Sequence, residues 1–590
     1  MLRRLAALVS KERISVSPER ASSFARWKAV PGAVLVQASI GGVYAWSIFN
    51  EPLTRNIGVI AASSQDWSLG DVVPIFSCAA ISLGVCSALL GPWAERMGPR
   101  AVCLTAAGCW SSGLALTGLG VHLHSLPLVY LGYGVLGGAG WGLGYVSPIP
   151  ALLSWFPDRR GLASGIGLAA FGGGAMLAAP LESWLLSRNF RAPDFLGKTD
   201  SVALVTEEGR RFVTTEGGAL QEVLVATMAD VARLPVSLSE GVYLLGTGST
   251  GAAATFATLS CGYALLMSAG ALMMRLPPPG FAPAGFVPKG GAGGGPERSV
   301  HYATAMRTPQ FYLLWATLFG NTFAGVTIIS AAKTIMSDVF GGAYPSIVTG
   351  AFAATFVMGL AGANMMGRLT WGPLSDKLGR KVHRSNIFLF FFFSNLLCQL
   401  TYAIFGLSIP LCAAIPTITG LTSAASTAPL VAFIGSMVMI VSFYGAVFAV
   451  LPAYVADTFG QKYMGTIFGR ILTALPLSAL VGPLVLAQLR SRSTDEAVAD
   501  LVSRVDPQRF LERFGTGVDH VAQLVHNKVV TIPRLMELMP PGTFDPSAGL
   551  YNSTLYTMSG MLTMAFVTNL LIRPVSEKFF EKPEPKAKSN

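Results

Sequence analysis

Charge is scarce in this chain. Asp, Glu, Lys and Arg make up only 12% of its 590 residues, against 52% hydrophobic residues. Soluble domains carry about a quarter of their residues as charges, so a water-soluble body is excluded. Acid is scarcer than base, 31 residues against 42, and the formal charge is +11. In so apolar a chain that excess points to basic loops facing anionic lipid headgroups and not to nucleic acid. The seven cysteines, Cys78, Cys86, Cys103, Cys109, Cys261, Cys398 and Cys412, lie in or beside apolar runs. No spacing among them suggests a zinc site or a disulfide framework, so they are expected as core thiols. No Ser-His-Asp set, metal cluster or phosphate loop stands out, and neither an enzyme nor a cofactor is expected. The glycine runs Gly290–Gly295 and Gly137–Gly144 follow no strand. They read as a loose linker and as helix-packing positions, not as phosphate cradles.

What is abundant is apolar length. Twelve stretches are long enough to span a bilayer as helices: Ala29–Phe49, Val72–Leu90, Ala101–Gly120, Leu126–Trp155, Leu162–Leu185, Ser249–Met274, Phe311–Met336, Ser346–Trp371, Asn386–Leu407, Leu430–Ala456, Met464–Leu489 and Tyr551–Ile572. The short loops Gly91–Arg100, Phe156–Arg160, Gly372–Arg384 and Asp457–Lys462 carry Arg or Lys. Those around His122 and Ile409–Ala428 carry none. The positive-inside rule then places both termini in the cytoplasm. The expected organisation is a basic cytoplasmic tail over 1–28, a six-helix bundle over 29–274, a Gly/Pro-rich cytoplasmic linker over 275–308, a second six-helix bundle over 309–573 and a cytoplasmic tail over 574–590. The Arg-rich start also fits a mitochondrial presequence, and the tail is preferred. A multi-pass protein of the plasma membrane is expected, with a mitochondrial or other organelle membrane as the alternative.

Two long loops, 187–248 and 490–549, fall on the outer side by this topology. Each contains an amphipathic stretch, Leu220–Leu234 and Asp495–Phe514, whose spacing predicts helices. A paired external cap is the expectation they raise; two unrelated insertions are the alternative.

A ten-residue pattern occurs twice. Gly91 to Arg100 reads Gly-Pro-Trp-Ala-Glu-Arg-Met-Gly-Pro-Arg, and Gly372 to Lys381 reads Gly-Pro-Leu-Ser-Asp-Lys-Leu-Gly-Arg-Lys. A motif repeated at equivalent places in two halves marks a duplicated, parallel-repeat transporter. Just before the second copy lies Arg368, the only charge in the run from Ser346 to Trp371. It stands one helical turn, about 6 Å, from Gly372. Its guanidinium keeps its proton and fits a carboxylate bidentately. Burying it uncompensated costs roughly 3 kcal/mol on insertion scales, so an anion or a watery cavity should offset it. Snorkelling to the interface is the alternative, and position alone does not decide.

The repeated decapeptide resembles the cytoplasmic loop motif of the major facilitator superfamily. More narrowly, Gly42-Val-Tyr-Ala-Trp-Ser-Ile-Phe, Gly138-Ala-Gly-Trp-Gly-Leu-Gly-Tyr, Trp155-Phe-Pro-Asp-Arg-Arg-Gly-Leu-Ala-Ser-Gly, Gly367-Arg-Leu-Thr-Trp-Gly and Leu451-Pro-Ala-Tyr-Val-Ala-Asp-Thr-Phe-Gly resemble the oxalate–formate antiporter family and the related monocarboxylate transporters. The resemblance covers nearly all the spans. It implies an all-α fold of two pseudo-symmetric six-helix bundles, alternating access, and a carboxylate-binding role for Arg368. It also fails in informative places. The oxalate transporters place a second cation, a lysine, just after a Thr-Ala pair in span 11; here Thr473-Ala474 is followed by Leu475. Proton-coupled monocarboxylate transporters keep an acid one turn before the span-8 arginine and a lysine in span 1; here those places hold Asn364 and Ile48.

The sequence therefore predicts a secondary transporter for a small organic anion, a monocarboxylate such as pyruvate, lactate or formate, by anion exchange or proton symport. An oxalate or dicarboxylate antiporter is the alternative. Around Arg368 the candidate substrate residues are Gln37, Tyr44, Tyr145, Asn321, Asn364 and Tyr444, each otherwise a satisfied buried polar group. Trp141 is expected to pack. The candidate gating residues are Glu95 and Arg96 after span 2, Asp376 and Lys377 after span 8, and Arg160 and Arg470 at the starts of spans 5 and 11. In the pseudo-twofold arrangement Asp376 should approach Arg160, and Glu95 should approach Arg470. A cation or drug antiporter would need a membrane-embedded acid, whereas Glu51, Asp71, Glu182 and Asp338 read as lying at span ends. A non-transporting sensor is motivated only by the two long loops. The expected partners are a small carboxylate and the bilayer, with no nucleic acid, and the chain is expected to work as a monomer.

Overall fold

A computed structural model describes residues 26–207, 210–214, 220–226, 231, 238–278, 281, 283, 299–341, 344–348, 350–378, 427–514, 517–522, 530, 532–540, 543 and 545–581. The ninth expected span (Asn386–Leu407), Cys398, Cys412, most of the basic tail and most of the linker lie outside these residues. In chain order the principal helices are α1 (Val30–Gly41), α2 (Ser47–Thr54), α3 (Leu69–Leu89), α4 (Gly91–Met97), α5 (Pro99–His122), α6 (Gly138–Val146), α7 (Pro148–Trp155), α8 (Arg160–Asn189), α9 (Ala252–Met273), α10 (Pro309–Phe340), α11 (Gly350–Leu378), α12 (Ala428–Phe459), α13 (Met464–Ile471), α14 (Ala474–Arg504), α15 (Pro507–Phe514) and α16 (Asn552–Leu570). Among the described residues eight helices are long and apolar enough to cross a membrane, or nine if a bent first pair counts as one span. The expected spans 8 and 12 are helical as well, as α11 and α16.

The chain divides into two compact units. The first comprises 1–288 together with 460–476, and the second comprises 289–459 and 477–590.

In the first unit the opening span breaks by 48° where α2 begins. The break follows a tight 3-10 turn over Gly42–Ala45, where the regular α-helical hydrogen-bond ladder of α1 ends. Small residues let the helices of this unit close on one another. A Cβ at Gly41 would lie 2.2 Å from the Phe171 carbonyl oxygen, and one at Gly174 would lie 2.3 Å from the Ala38 oxygen, so α1 and α8 touch backbone to backbone. The turn between α4 and α5 passes through Gly98 at φ +79°, which explains the glycine of the repeated decapeptide. Residues Tyr130–Gly137 form a π-helical stretch between Leu126–Val129 and α6.

The 187–248 loop departs from expectation. It folds into a five-stranded antiparallel sheet, β1 (Phe195–Gly197), β2 (Val205–Glu207), β3 (Arg210–Thr214), β4 (Leu220–Ala226) and β5 (Gly241–Leu244), in the order β1-β5-β4-β3-β2. The predicted helix over Leu220–Leu234 is thus wrong at its start. Val223 and Ala226 of β4 are buried, and β4 is paired on both sides, with Arg211 opposite Val223 and Tyr243 opposite Leu224. Tertiary pairing overrides a short, ambiguous period. Ile60, Ala226, Val231 and Tyr243 form a small apolar core under the sheet. Arg191 and Ser249 exchange two backbone hydrogen bonds, of 2.9 and 2.8 Å, where the segment leaves and rejoins the helices. The other long loop is helical where expected: α14 continues to Arg504 and α15 follows. The two loops are therefore built differently, and their shared helical periodicity no longer argues for a matched pair.

In the second unit α11 and α12 run side by side, again through glycine. A Cβ at Gly367 would lie 2.1 Å from the Ser442 carbonyl oxygen, and one at Gly445 would lie 2.3 Å from the Asn364 oxygen. Asp338 at the end of α10 is held by Arg490 (2.6 Å to Nη2) and accepts from the Tyr551 hydroxyl at 2.6 Å.

Candidate functional site

The close approach of α11 and α12 creates the polar cluster of the second unit. Arg368 is fully buried, four residues after Asn364 on the same face of α11. Its Nε donates to the Asn364 side-chain oxygen at 3.0 Å, which fixes the plane of the guanidinium. The ring of Phe448, from α12, lies 5.2 Å from the guanidinium carbon. Phe448 in turn meets Tyr444 edge-on at 5.2 Å. Tyr444 is seated in the space left by Gly325 of α10, where a Cβ would come within 2.1 Å of the ring. Arg368 is therefore enclosed by its neighbours inside the unit and does not reach its surface. Asn321 lies one turn before Gly325 on α10. It is fully buried, and neither side-chain atom has a hydrogen-bond partner among the described residues.

The first unit holds a second, aromatic cluster. Tyr44 meets Phe171 edge-on at 5.1 Å and Trp141 at 6.4 Å. Tyr145 meets Phe171 at 5.1 Å and stacks on Phe468 at 6.5 Å. Gln37 of α1 is buried and donates to the Tyr145 carbonyl at 3.0 Å. Trp141 stacks on Phe171 at 6.2 Å and is buried, as expected of a packing residue. The Tyr44 side chain is the open member of the group, 36% exposed. Leu475 is buried.

The gating candidates fall at helix ends. Glu95 on α4 accepts from the Thr466 backbone N–H at 2.9 Å, in the first turn of α13. A carboxylate there complements the free amides and the positive end of the helix dipole. Arg470 lies one turn further along α13 and donates from Nε to the Ala88 carbonyl at 3.4 Å. Arg160 opens α8, Arg96 lies in the last turn of α4, and Asp376 and Lys377 lie in the last turn of α11.

Two expectations about side chains need correction. Cys261 is exposed and not a core thiol, whereas Cys103 is buried. Glu182 was expected at a span end. Instead α8 runs on to Asn189, and Glu182 is only 3% exposed inside the unit. The sequence signal was available: Leu-Glu-Ser-Trp-Leu-Leu-Ser-Arg-Asn keeps a helical period beyond Leu185.

Long apolar helices that enclose a buried arginine fit a multi-pass membrane transporter, and comparison with known proteins agrees. The model of the major facilitator superfamily matches residues 32–196. The oxalate:formate antiporter of Oxalobacter formigenes is 24% identical over 78% of this chain and 83% of its own length. Apicoplast pyruvate carrier 1 of Toxoplasma gondii is 28% identical over 44% of this chain and 45% of its own. In fold, the E. coli fucose:proton symporter superposes with a TM-score of 0.50 at 10% identity, covering 92% of this chain and 97% of that one. Residues 32–196 thus match the family model of the major facilitator superfamily, and the chain shares the fold of the solved transporter compared with it.

Proposed function

We propose that the protein is a secondary transporter of small monocarboxylates, with pyruvate, lactate and formate as the substrate class, working by alternating access through twelve spans with both termini in the cytoplasm. The observation that carries this reading is Arg368, fully buried in a membrane helix and oriented by Asn364 and Phe448. In a site of low effective dielectric a guanidinium gains far more from a bound carboxylate than it would in water. Asn364, Asn321 and Tyr444 can supply further hydrogen bonds to the same anion. Gln37, Tyr44 and Tyr145 remain proposed contributors from the first unit. Leu475 cannot neutralise a second carboxylate, and an unpaired one is expensive to desolvate, which favours a monoanion over oxalate. The names of the relatives, an oxalate:formate antiporter and a pyruvate carrier, support the class. A plasma-membrane location is proposed.

The test is uptake into proteoliposomes from a panel of pyruvate, lactate, formate and oxalate. Arg368→Ala should lose carboxylate uptake by about 100-fold, the scale of a lost charged hydrogen-bonded pair. Arg368→Lys should keep measurable transport at weaker affinity, because charge survives and the fork does not. Leu475→Lys should shift preference toward oxalate. Unchanged affinity in Arg368→Ala would remove the arginine from the site.

A further inference from the structure

One buried acid is unexplained by the carboxylate site. Glu182 lies in α8 of the first unit, 3% exposed, and its Oε2 is buried with no hydrogen-bond partner among the described residues. No Lys or Arg among the described residues forms an ion pair with it. Tyr133 lies in the π-helical stretch and Tyr263 in α9, and both are buried in the same unit. The Tyr263 hydroxyl is seated against Gly42, where a Cβ would come within 2.7 Å of it and within 3.4 Å of the Ala178 Cβ, one turn before Glu182. Tyr133 packs on Trp46 at 4.2 Å and on Trp110 at 5.9 Å, and Trp110 meets Tyr263 at 6.3 Å. The indole N–H groups of Trp46 and Trp110 are also buried without a partner among the described residues. Pro180, two residues before Glu182, removes a backbone hydrogen bond from α8 at this level.

Among the described residues, the other elements that pack most closely on α8 bring no counter-charge to Glu182. α1 and α7 contain no titratable side chain. The Gly42–Ala45 turn contributes Tyr44, which is engaged with Phe171. Glu51 of α2 is exposed and lies 3.4 Å from Arg55. On α8 itself Arg188 is exposed and stacks on Trp184. A carboxylate so enclosed is costly while ionised and inexpensive once protonated. Ionisable groups placed this way inside membrane helices mark proton and ion pathways.

We infer that Glu182, buried in α8 with its Oε2 unpartnered among the described residues, is the proton-binding site that couples transport to a pH gradient. The step is a simple protonation. Glu182 takes one proton from water onto a carboxylate oxygen, travels neutral through the transport cycle, and returns the proton when its side chain meets water on the other side. One proton carried with one monocarboxylate leaves the cycle electroneutral. This inference rests on the monocarboxylate reading for its substrate but not for the proton site itself.

Two measurements on the full-length protein test it. The first is infrared difference spectroscopy of wild type and Glu182→Gln in detergent between pH 5 and 9. A protonated-carboxyl band present at neutral pH in wild type and missing in the variant is expected; identical spectra overturn the site whatever the substrate. The second is pyruvate transport in proteoliposomes. Glu182→Gln should lose pH-gradient-driven accumulation by more than tenfold while pyruvate counterflow falls less than threefold. Wild-type pyruvate transport that ignores the pH gradient would overturn the coupling role and leave the monocarboxylate reading standing. If wild type moves no monocarboxylate, that reading fails and the infrared result alone decides the proton site. Glu182→Asp, which keeps the acid, controls for folding: it should restore the band.

Discussion

At the residue scale, the proposed carboxylate site depends as much on missing atoms as on charged ones. Tyr444 reaches its place because Gly325 has no side chain. Gly325→Ala puts a methyl group 2.1 Å from the ring, so the tyrosine must move. Overpacking of this kind costs about 1–3 kcal/mol. The expected outcome is weaker pyruvate binding with normal membrane insertion, measured as a raised half-saturation concentration for uptake in proteoliposomes. An unchanged value would show that Tyr444 does not contact substrate. Arg368 was legible in the sequence because a lone charge in an apolar run is conspicuous. Glu182 was harder to read: the helical period past Leu185 was there, but its burial depends on where α8 stops, and span ends are poorly marked when the apolar run fades gradually.

At the scale of elements, α13 shows how a short helix is anchored. Glu95 occupies the position an N-cap side chain would fill, although it comes from α4, far away in sequence. Removing such a partner costs about 1 kcal/mol, or a factor of roughly five in a local opening equilibrium. Glu95→Ala should therefore speed amide hydrogen exchange in the first turn of α13, at Thr466 and Ile467, by about fivefold. Equal exchange in the two proteins would reduce the contact to incidental packing. The decapeptide containing Glu95 was readable from its repetition, but its contact with Thr466 was not. Pairing across several hundred residues leaves no local signature.

For the molecule as a whole, the helical bundles follow from apolar length and from small residues that allow close packing, both visible in composition. The sheet between α8 and α9 does not follow. Its strands are three to seven residues long and mixed in polarity, and strand partners are chosen by tertiary contact. Its stability should rest on the cluster of Ile60, Ala226, Val231 and Tyr243. Tyr243→Ala removes the largest member, and truncation of a buried aromatic costs about 3–5 kcal/mol. Limited proteolysis should then cut between Arg191 and Ser249 at least tenfold faster, while pyruvate uptake persists. Loss of uptake in parallel would tie the sheet to the transport cycle.

The two backbone hydrogen bonds between Arg191 and Ser249 have a practical corollary. Entry and exit of the whole sheet stand side by side, so from the viewpoint of α8 and α9 the inserted segment occupies no more room than a tight turn. Such a doorway is a natural grafting point. A rigid tag or an antibody epitope hung from the same two residues would have little reason to pull the helices apart, and would give a featureless membrane protein a landmark for imaging.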